Sequence, residues 1–164
     1  MNSHREQLTA PRIDQERLRE VLGHFATGVA VVTSVSPSGD LGMTVNSFTS
    51  VSLSPPLVLV CARHESRTGR GIEESGAFAV NVLCRDQEEL SRRFCGPAEH
   101  RFDGVPVRAG RSGAPVLRSA LAYLDCCLEE AVEAGDHRIL IGRVLEAGSR
   151  GDEEPLVFFR GAYW

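Results

Sequence analysis

A run of small polar side chains at residues 44–52 is the first feature of this sequence that could do chemistry. Six of its nine positions carry a hydroxyl or an amide: Thr44, Asn46, Ser47, Thr49, Ser50 and Ser52. A solvent-facing strand accounts for such residues, but its polar and apolar positions would then alternate, and here they do not. Hydroxyls and amides can instead pair with the carbonyls and nitrogens of a planar heterocycle. The run therefore favours a ligand-lining strand, with a solvent-facing strand as the alternative.

A second candidate site follows at residues 61–68. Ser66 and Thr68 stand where a helix would begin, and Arg63 and Arg67 lie close to them in the sequence. The free N–H groups and the dipole of a helix N-terminus attract phosphate, and a guanidinium can bind phosphate through two hydrogen bonds. An ordinary capped helix with a solvated charged turn explains the same residues. The segment thus indicates an anion site but does not require one.

Several kinds of chemistry are excluded or disfavoured. Gly69 and Gly71 lack the third glycine of a dinucleotide fingerprint, and Ser112 does not complete the G-x-S-x-G pattern of serine hydrolases. All 18 basic residues are arginine, so no lysine is available for a Walker loop or a Schiff base. The net charge of −4 leaves no basic surface for a run of phosphates, so no nucleic-acid partner is expected.

The five cysteines form no C-x-x-C pair, and the histidines show no metal-ligand spacing. We therefore expect neither a metal site nor a disulfide framework. Cys126 and Cys127 are neighbours on a predicted strand and point to opposite faces, so they should not bond to each other. Buried thiols in a reducing compartment are the expected state.

The length of 164 residues fits a single domain. Residues 1–13 are polar and lack the apolar stretch of a secretory signal, so we expect a mobile tail there and one domain at residues 14–164 of a cytoplasmic protein. No segment approaches the roughly 20 apolar residues that cross a bilayer, so no membrane association is expected.

Three helices are predicted. Apolar residues recur at helical spacing over residues 15–25, with Asp14 as the N-cap. A short helix is expected within residues 66–75. A third, at residues 87–94, would be opened by a capping box between Asp86 and the glutamate three residues later. These helices are short and connect strands.

About seven strands are predicted from apolar and β-branched segments. They lie at residues 29–36, 41–52, 57–61, 78–83, 121–131, 137–147 and 156–159. Residues 96–113 are predicted to be a loop. Many strands with few short helices predict a mostly β barrel or sandwich.

The sequence also resembles a known family. Residues 42–57, GMTVNSFTSVSLSPPL, follow TGVAVVT at residues 27–33 and precede GDH at residues 135–137. This order of motifs is similar to that of the short-chain flavin reductase family. The match continues through residues 78–83, 86–87, 101–102, 113–117 and 155–156 and covers nearly the whole chain beyond residue 14. One departure is Ser54, where family members often carry Asp.

The resemblance implies a split β-barrel, Greek-key-like and of the FMN-binding split-barrel type, with a few short connecting helices. It also implies a homodimer that binds FAD or FMN and oxidises NADH, with NADPH less expected. Reduced flavin would then pass to a separate flavin-dependent monooxygenase.

Site residues are carried over by position. The isoalloxazine ring would be lined by Thr44, Val45, Asn46, Ser47, Ser50, Val51 and Ser52. The ribityl chain and phosphate would be held by Cys61, Ala62, Arg63, Ser66, Arg67 and Thr68. The outer phosphate or adenine end would lie near Cys95, Gly96 and Arg101.

His137 is the candidate catalytic residue. A lone histidine at a strand start usually has a structural role. The resemblance instead implies that His137 meets the nicotinamide near the flavin, with Asp136 fixing its orientation. Hydride transfer needs the two rings about 3–3.5 Å apart and requires no general base from the protein. The other histidines, including His64 in the proposed phosphate segment, are expected to be incidental.

Two alternatives stay open. The chain could be a flavin-binding module that stores flavin or senses redox state without steady turnover. It could also be a nonenzymatic interaction domain, because a fold does not dictate a function.

Overall fold

A computed structural model describes residues 13–164, so the tail predicted at residues 1–13 lies, apart from Ile13, outside the described residues. The described part contains three α-helices: α1 (Gln15–Leu22), α2 (Arg67–Ser75) and α3 (Glu88–Cys95). It also contains twelve strands: β1 (Thr27–Gly28), β2 (Ala30–Ser36), β3 (Gly39–Val45), β4 (Thr49–Leu53), β5 (Pro56–Arg63), β6 (Ala77–Val82), β7 (Val107–Ala109), β8 (Pro115–Leu117), β9 (Ala122–Ala134), β10 (His137–Ser149), β11 (Val157–Phe159) and β12 (Ala162–Tyr163).

Seven strands of residues 13–164 form one antiparallel sheet in the order β3-β2-β6-β9-β10-β5-β4. Two smaller sheets, β1-β11-β12 and β7-β8, complete the strands of this part of the chain. The mostly β prediction is therefore confirmed. Since β3 and β4 are the two edges and do not pair with each other among the described residues, the sheet is not a closed barrel.

The prediction of one continuous strand at residues 41–52 is wrong. The chain leaves β3 at Val45, passes through residues 46–48 and enters β4 at Thr49. These two strands lie at opposite edges of the seven-stranded sheet. A strand that must move from one edge to the other has to break, and the break falls inside the polar run.

Helix boundaries follow their caps. Asp14 caps α1 as predicted, because its carboxylate accepts from Arg17 N at 3.1 Å, but the helix ends at Leu22 and not at residue 25. The capping box predicted between Asp86 and Glu89 is wrong, since Gln87 Oε1 accepts from Cys84 N at 2.8 Å in a 3-10 turn that precedes α3. The loop predicted at 96–113 also contains the short strand β7.

The core has two parts, and successive residues of β2 alternate between them. Ala30 and Val32 pack into a cluster with residues of β5, β6 and β10 and with Ile72 of α2. Val31 packs into the other cluster with Phe94 of α3. Because neighbouring residues on a strand point to opposite faces, β2 is buried on both sides and holds α2 and α3 against the sheet.

The cysteines lie within the described part of the chain and all five are free thiols. Cys84 and Cys126 are buried as expected, but Cys95 is exposed at the end of α3, so the expectation of buried thiols is wrong there. Among residues 13–164, no three His, Cys, Asp or Glu side chains are grouped so as to hold a metal ion. No helix of this part of the chain is long and apolar enough to cross a membrane.

Candidate cofactor site

A cavity of about 750 Å³ lies where the ends of β3 and β5 meet the start of β10. Eleven of the residues predicted to bind cofactors line it: Thr44, Val45, Asn46, Ser47, Cys61, Ala62, Arg63, Ser66, Cys95, Arg101 and His137. Four parts of the sequence, residues 44–47, 61–66, 95–101 and 137, thereby line one cavity. Met43, Glu65 and Phe94 also line this main cavity and were not singled out from the sequence.

Ser47 ties the polar segment to the neighbouring strand. Its Oγ accepts a hydrogen bond from Cys61 N at 3.0 Å and lies 3.4 Å from Cys61 O. The side chain thus bonds to the main chain of β5 beyond the last paired residue of β3. On β3 itself, Thr44 Oγ1 donates to Ser91 O of α3 at 2.7 Å. These contacts fix the segment that carries Asn46 at the rim of the cavity.

The start of α2 has the form predicted for it. Ser66 is the N-cap, because its Oγ accepts from Gly69 N at 3.1 Å. Thr68 is buried, with 2% of its surface exposed, whereas Arg67 is exposed. Both residues line a smaller cavity of about 280 Å³. The two arginines of the predicted anion site are therefore divided, with Arg63 in the main cavity and Arg67 in the smaller one.

Arg101 lines both cavities and binds main-chain carbonyls. Its guanidinium donates to Gly42 O of β3 and to Gly96 O after α3. Its Nε also donates to Pro97 O at 3.1 Å. Burial lowers the pKa of this guanidinium, although arginine stays charged in proteins. Arg101 thus connects the end of α3 to the sheet at the boundary between the cavities.

His137 begins β10 and is more than half buried, with 37% of its side chain exposed. Its Nδ1 lies 2.6 Å from the carboxylate of Asp136, so the ring donates to that oxygen. This hydrogen bond and the charge of the histidine lower the pKa of Asp136. The contact holds the imidazole in one orientation.

Not every predicted residue meets at the main cavity. Ser50 lines a separate cavity of about 730 Å³ that shares Asn46 and Ser47 with it. Val51 is exposed on β4 and Ser52 is half-buried there, at an irregularity in the pairing with β5. Gly96 lines a fourth cavity, beside the end of α3.

The chemistry of these groups fits a flavin nucleotide. A volume of about 750 Å³ lies within the usual range for cofactor pockets, about 300–1,000 Å³. The main cavity offers hydroxyl and amide groups from Thr44, Asn46 and Ser47 for the edge of a planar ring. Arg63 in the main cavity and Arg67 in the smaller one, with the free N–H groups at the start of α2, suit phosphate.

Comparison with known proteins agrees with this chemistry. The model of the flavin reductase like domain family matches residues 22–164. The chain is 40% identical over 156 residues to the reductase subunit HsaB of a flavin-dependent monooxygenase from Rhodococcus jostii, covering 95% of this chain and 80% of that protein. It is 44% identical to a probable flavin reductase of Rhizobium meliloti over 96% of its own length, but spans only 50% of that relative.

A solved structure gives the same result. The NADH:FAD oxidoreductase SgcE6 of Streptomyces globisporus, in complex with NAD and FAD fragments, superposes with a TM-score of 0.87 at 41% identity, over 92% of both chains. The identity is well above the level at which only a fold is shared. The family match, the relatives and the fold agree, and the chain belongs to the flavin reductase like domain family.

Proposed function

We propose that this protein is an NADH-dependent flavin reductase that reduces FAD or FMN and supplies the reduced flavin to a separate flavin-dependent monooxygenase. The observation that carries the proposal is the main cavity, which combines ring-pairing groups, phosphate-binding groups and an oriented histidine. The relatives support the chemistry. They include a protein named FMN reductase (NADH) SmoA from Agrobacterium fabrum, 45% identical over 145 residues.

The residues that line the cavities would have separate roles in binding the flavin. Thr44, Asn46 and Ser47 would hydrogen-bond the edge of the ring, while Arg63 and Arg67 would hold phosphate on either side of Ser66. The bound cofactors themselves supply the hydride chemistry. The protein has to hold them in place and keep water from the reacting faces.

His137 would meet the nicotinamide nucleotide, oriented by Asp136. An imidazole can stack on a ring or donate a hydrogen bond to the carboxamide. No proton needs to move from the histidine for a hydride to be delivered. We therefore assign His137 a binding and orienting part in the reaction, in direct contact with the nucleotide.

We further propose that the seven-stranded sheet belongs to the split-barrel type and that two copies of the chain form a homodimer. Support for the dimer comes from α1. This helix lies within the described residues, and none of its residues is buried. Its apolar side chains Leu18, Val21 and Leu22 are 43%, 52% and 62% exposed, and the following Phe25 is 77% exposed. A contiguous apolar helix face of this kind marks an interaction surface, and we assign it to a second copy.

A cytoplasmic location is part of the same proposal. All five cysteines, which lie within the described residues, are free thiols. Free thiols persist in a reducing compartment, and disulfides form in oxidising ones. NADH is also a cytoplasmic reductant.

Anaerobic addition of NADH and excess free flavin tests the function. A reductase consumes NADH until the free flavin is exhausted. A storage or sensing module stops after about one equivalent of NADH per protein. A nonenzymatic interaction domain consumes none, and either of the last two results would overturn the proposal.

A further inference from the structure

The turn that precedes His137 is a two-residue hairpin between β9 and β10. Gly135 takes a positive φ of 65° at its first position, which suits glycine in such turns. Pairing with β5 ends with His137 opposite Arg63. Beyond this pair, the main chain adds only a long contact from His64 N to Asp136 O at 3.4 Å.

The side chain of His64 makes the shorter contact to this turn. Its Nε2 lies 3.0 Å from Gly135 O, and because a carbonyl oxygen only accepts, Nε2 carries the hydrogen and donates. Its Nδ1 lies 3.4 Å from a carboxylate oxygen of Glu133 on β9. About a third of the His64 side chain is exposed, 34%. One ring therefore links the segment after β5 to both β9 and the turn.

A second side chain contacts the same glutamate of the hairpin. Arg138, next to His137, donates to Glu73 of α2 at 2.7 Å and to Glu133 at 2.9 Å. Successive residues of a strand point to opposite faces, so this pair does not reach the face that His137 presents to the main cavity. His64 reaches Glu133 from the same face as Arg138 and does not line the main cavity. Its bond to Gly135 O links the turn to the segment that carries Arg63 and Ser66.

We infer that His64 is a positioning residue, which holds the turn bearing His137 at a set distance from the proposed phosphate segment. This inference rests on the proposed function. It differs from the expectation that His64 is incidental. A displacement of about 1 Å at a reacting centre can cost about 100-fold in rate, so a link of this kind matters for hydride transfer. His64 itself need not touch either cofactor.

Two amide variants isolate the hydrogen bond. In His64→Gln, the side-chain N–H group can reach the place of Nε2 and donate to Gly135 O. In His64→Asn, one methylene shorter, the amide reaches only the place of Nδ1 and loses this contact. His100→Asn is the matched control, because His100 is 83% exposed in the segment after α3 and its positive φ of 65° is tolerated by Asn.

Hydrogen exchange of the backbone amides at residues 134–138 is measured first, in the protein without cofactors. Loss of one hydrogen bond predicts about 3- to 10-fold faster exchange in His64→Asn, with His64→Gln and His100→Asn close to wild type. Steady-state kinetics follow. His64→Asn should raise the KM for NADH or slow flavin reduction by about 3- to 10-fold, with flavin affinity within about twofold of wild type.

Equal behaviour of the Asn and Gln variants in exchange would overturn the inference, because the link would then not depend on the donor. A loss of flavin affinity in His64→Asn that equals the loss in NADH use would overturn it too. Absence of NADH consumption by the wild type would defeat the proposed function alone. The exchange comparison would still decide whether His64 holds the turn.

Discussion

His137, the first residue of β10, lies directly opposite Arg63, the last residue of β5. Residues opposite each other in an antiparallel pair lie on the same face of the sheet, with Cα atoms about 4.5–5.5 Å apart. Both side chains line the main cavity. The group proposed for the nicotinamide and a group proposed for phosphate are therefore adjacent on one sheet, although 74 positions separate them in the chain.

The first prediction concerns His137→Ala. If His137 serves the pyridine nucleotide, the KM for NADH should rise or flavin reduction should slow by about 10-fold, while flavin affinity stays nearly intact. Flavin titration and stopped-flow reduction measure the two quantities separately. Collapse of flavin binding with otherwise normal NADH kinetics would make His137 a flavin ligand or a support of the fold.

For the phosphate, we expect Arg67→Ala to weaken flavin binding by about 10- to 100-fold, the effect of losing one charge-assisted contact. Titration by flavin fluorescence quenching measures the change. Arg70→Ala is the matched control, since Arg70 is an exposed arginine on the same helix. Unchanged affinity in Arg67→Ala would move the phosphate to Arg63 or to the backbone amides of α2.

Removal of the Ser47 hydroxyl should loosen the segment between β3 and β4. Ser47→Ala loses the bond to Cys61 N, so the free energy of unfolding should fall by about 0.5–1.5 kcal/mol and flavin affinity should fall with it. Urea unfolding and flavin titration measure both. Ser149→Ala, at an exposed serine near the end of β10, is the control. A variant with full flavin affinity would exclude Ser47 from positioning the ring-binding groups.

The proposed dimer can be tested on α1. Light scattering at micromolar concentration should give twice the chain mass of 17.8 kDa for the wild type. Leu22→Asp places a charge on the apolar face and should shift the mass toward one chain. Glu16→Asp, on the same helix, should leave it unchanged. A wild-type mass of one chain would contradict the assignment of this face to a second copy.

The buried thiols predict how stability depends on pH. Burial raises the pKa of Cys126 from 9.0 to about 12, and burial together with a hydrogen bond to Glu153 raises that of Cys84 to about 11. Above pH 9.0 these thiols ionise in the unfolded chain but not in the folded one. Their contribution to the free energy of unfolding is thus fully present below pH 9.0. It is lost as the pH rises toward the pKa values of the thiols in the folded protein.

Urea unfolding of the wild type and Cys126→Ala at several pH values tests this directly. Between about pH 9 and about pH 10.5, the free energy of unfolding should fall by about 1–2 kcal/mol less in Cys126→Ala than in the wild type. Cys95→Ala should follow the wild type, because Cys95 is exposed. Parallel curves for wild type and Cys126→Ala would contradict the prediction.

Much of the fold could be predicted from local patterns. The apolar runs that became β5 and β6 are short and bounded by turn residues, and the caps Asp14 and Ser66 begin α1 and α2. Each of these features depends on residues that are close in sequence, so local propensity is enough. The motif order likewise indicated the family, which the comparison confirms.

The sequence alone therefore determined most of the strand-forming segments, where α1 and α2 begin and which residue types could bind a cofactor. Only the tertiary structure decided that β3 and β4 occupy opposite edges, because residues 41–52 favour strand throughout and strand pairing is a long-range property. It also decided that Arg63 and Arg67 line different cavities. The bond from His64 to Gly135 spans 71 positions, and no local pattern encodes a contact that the packing of two hairpins creates.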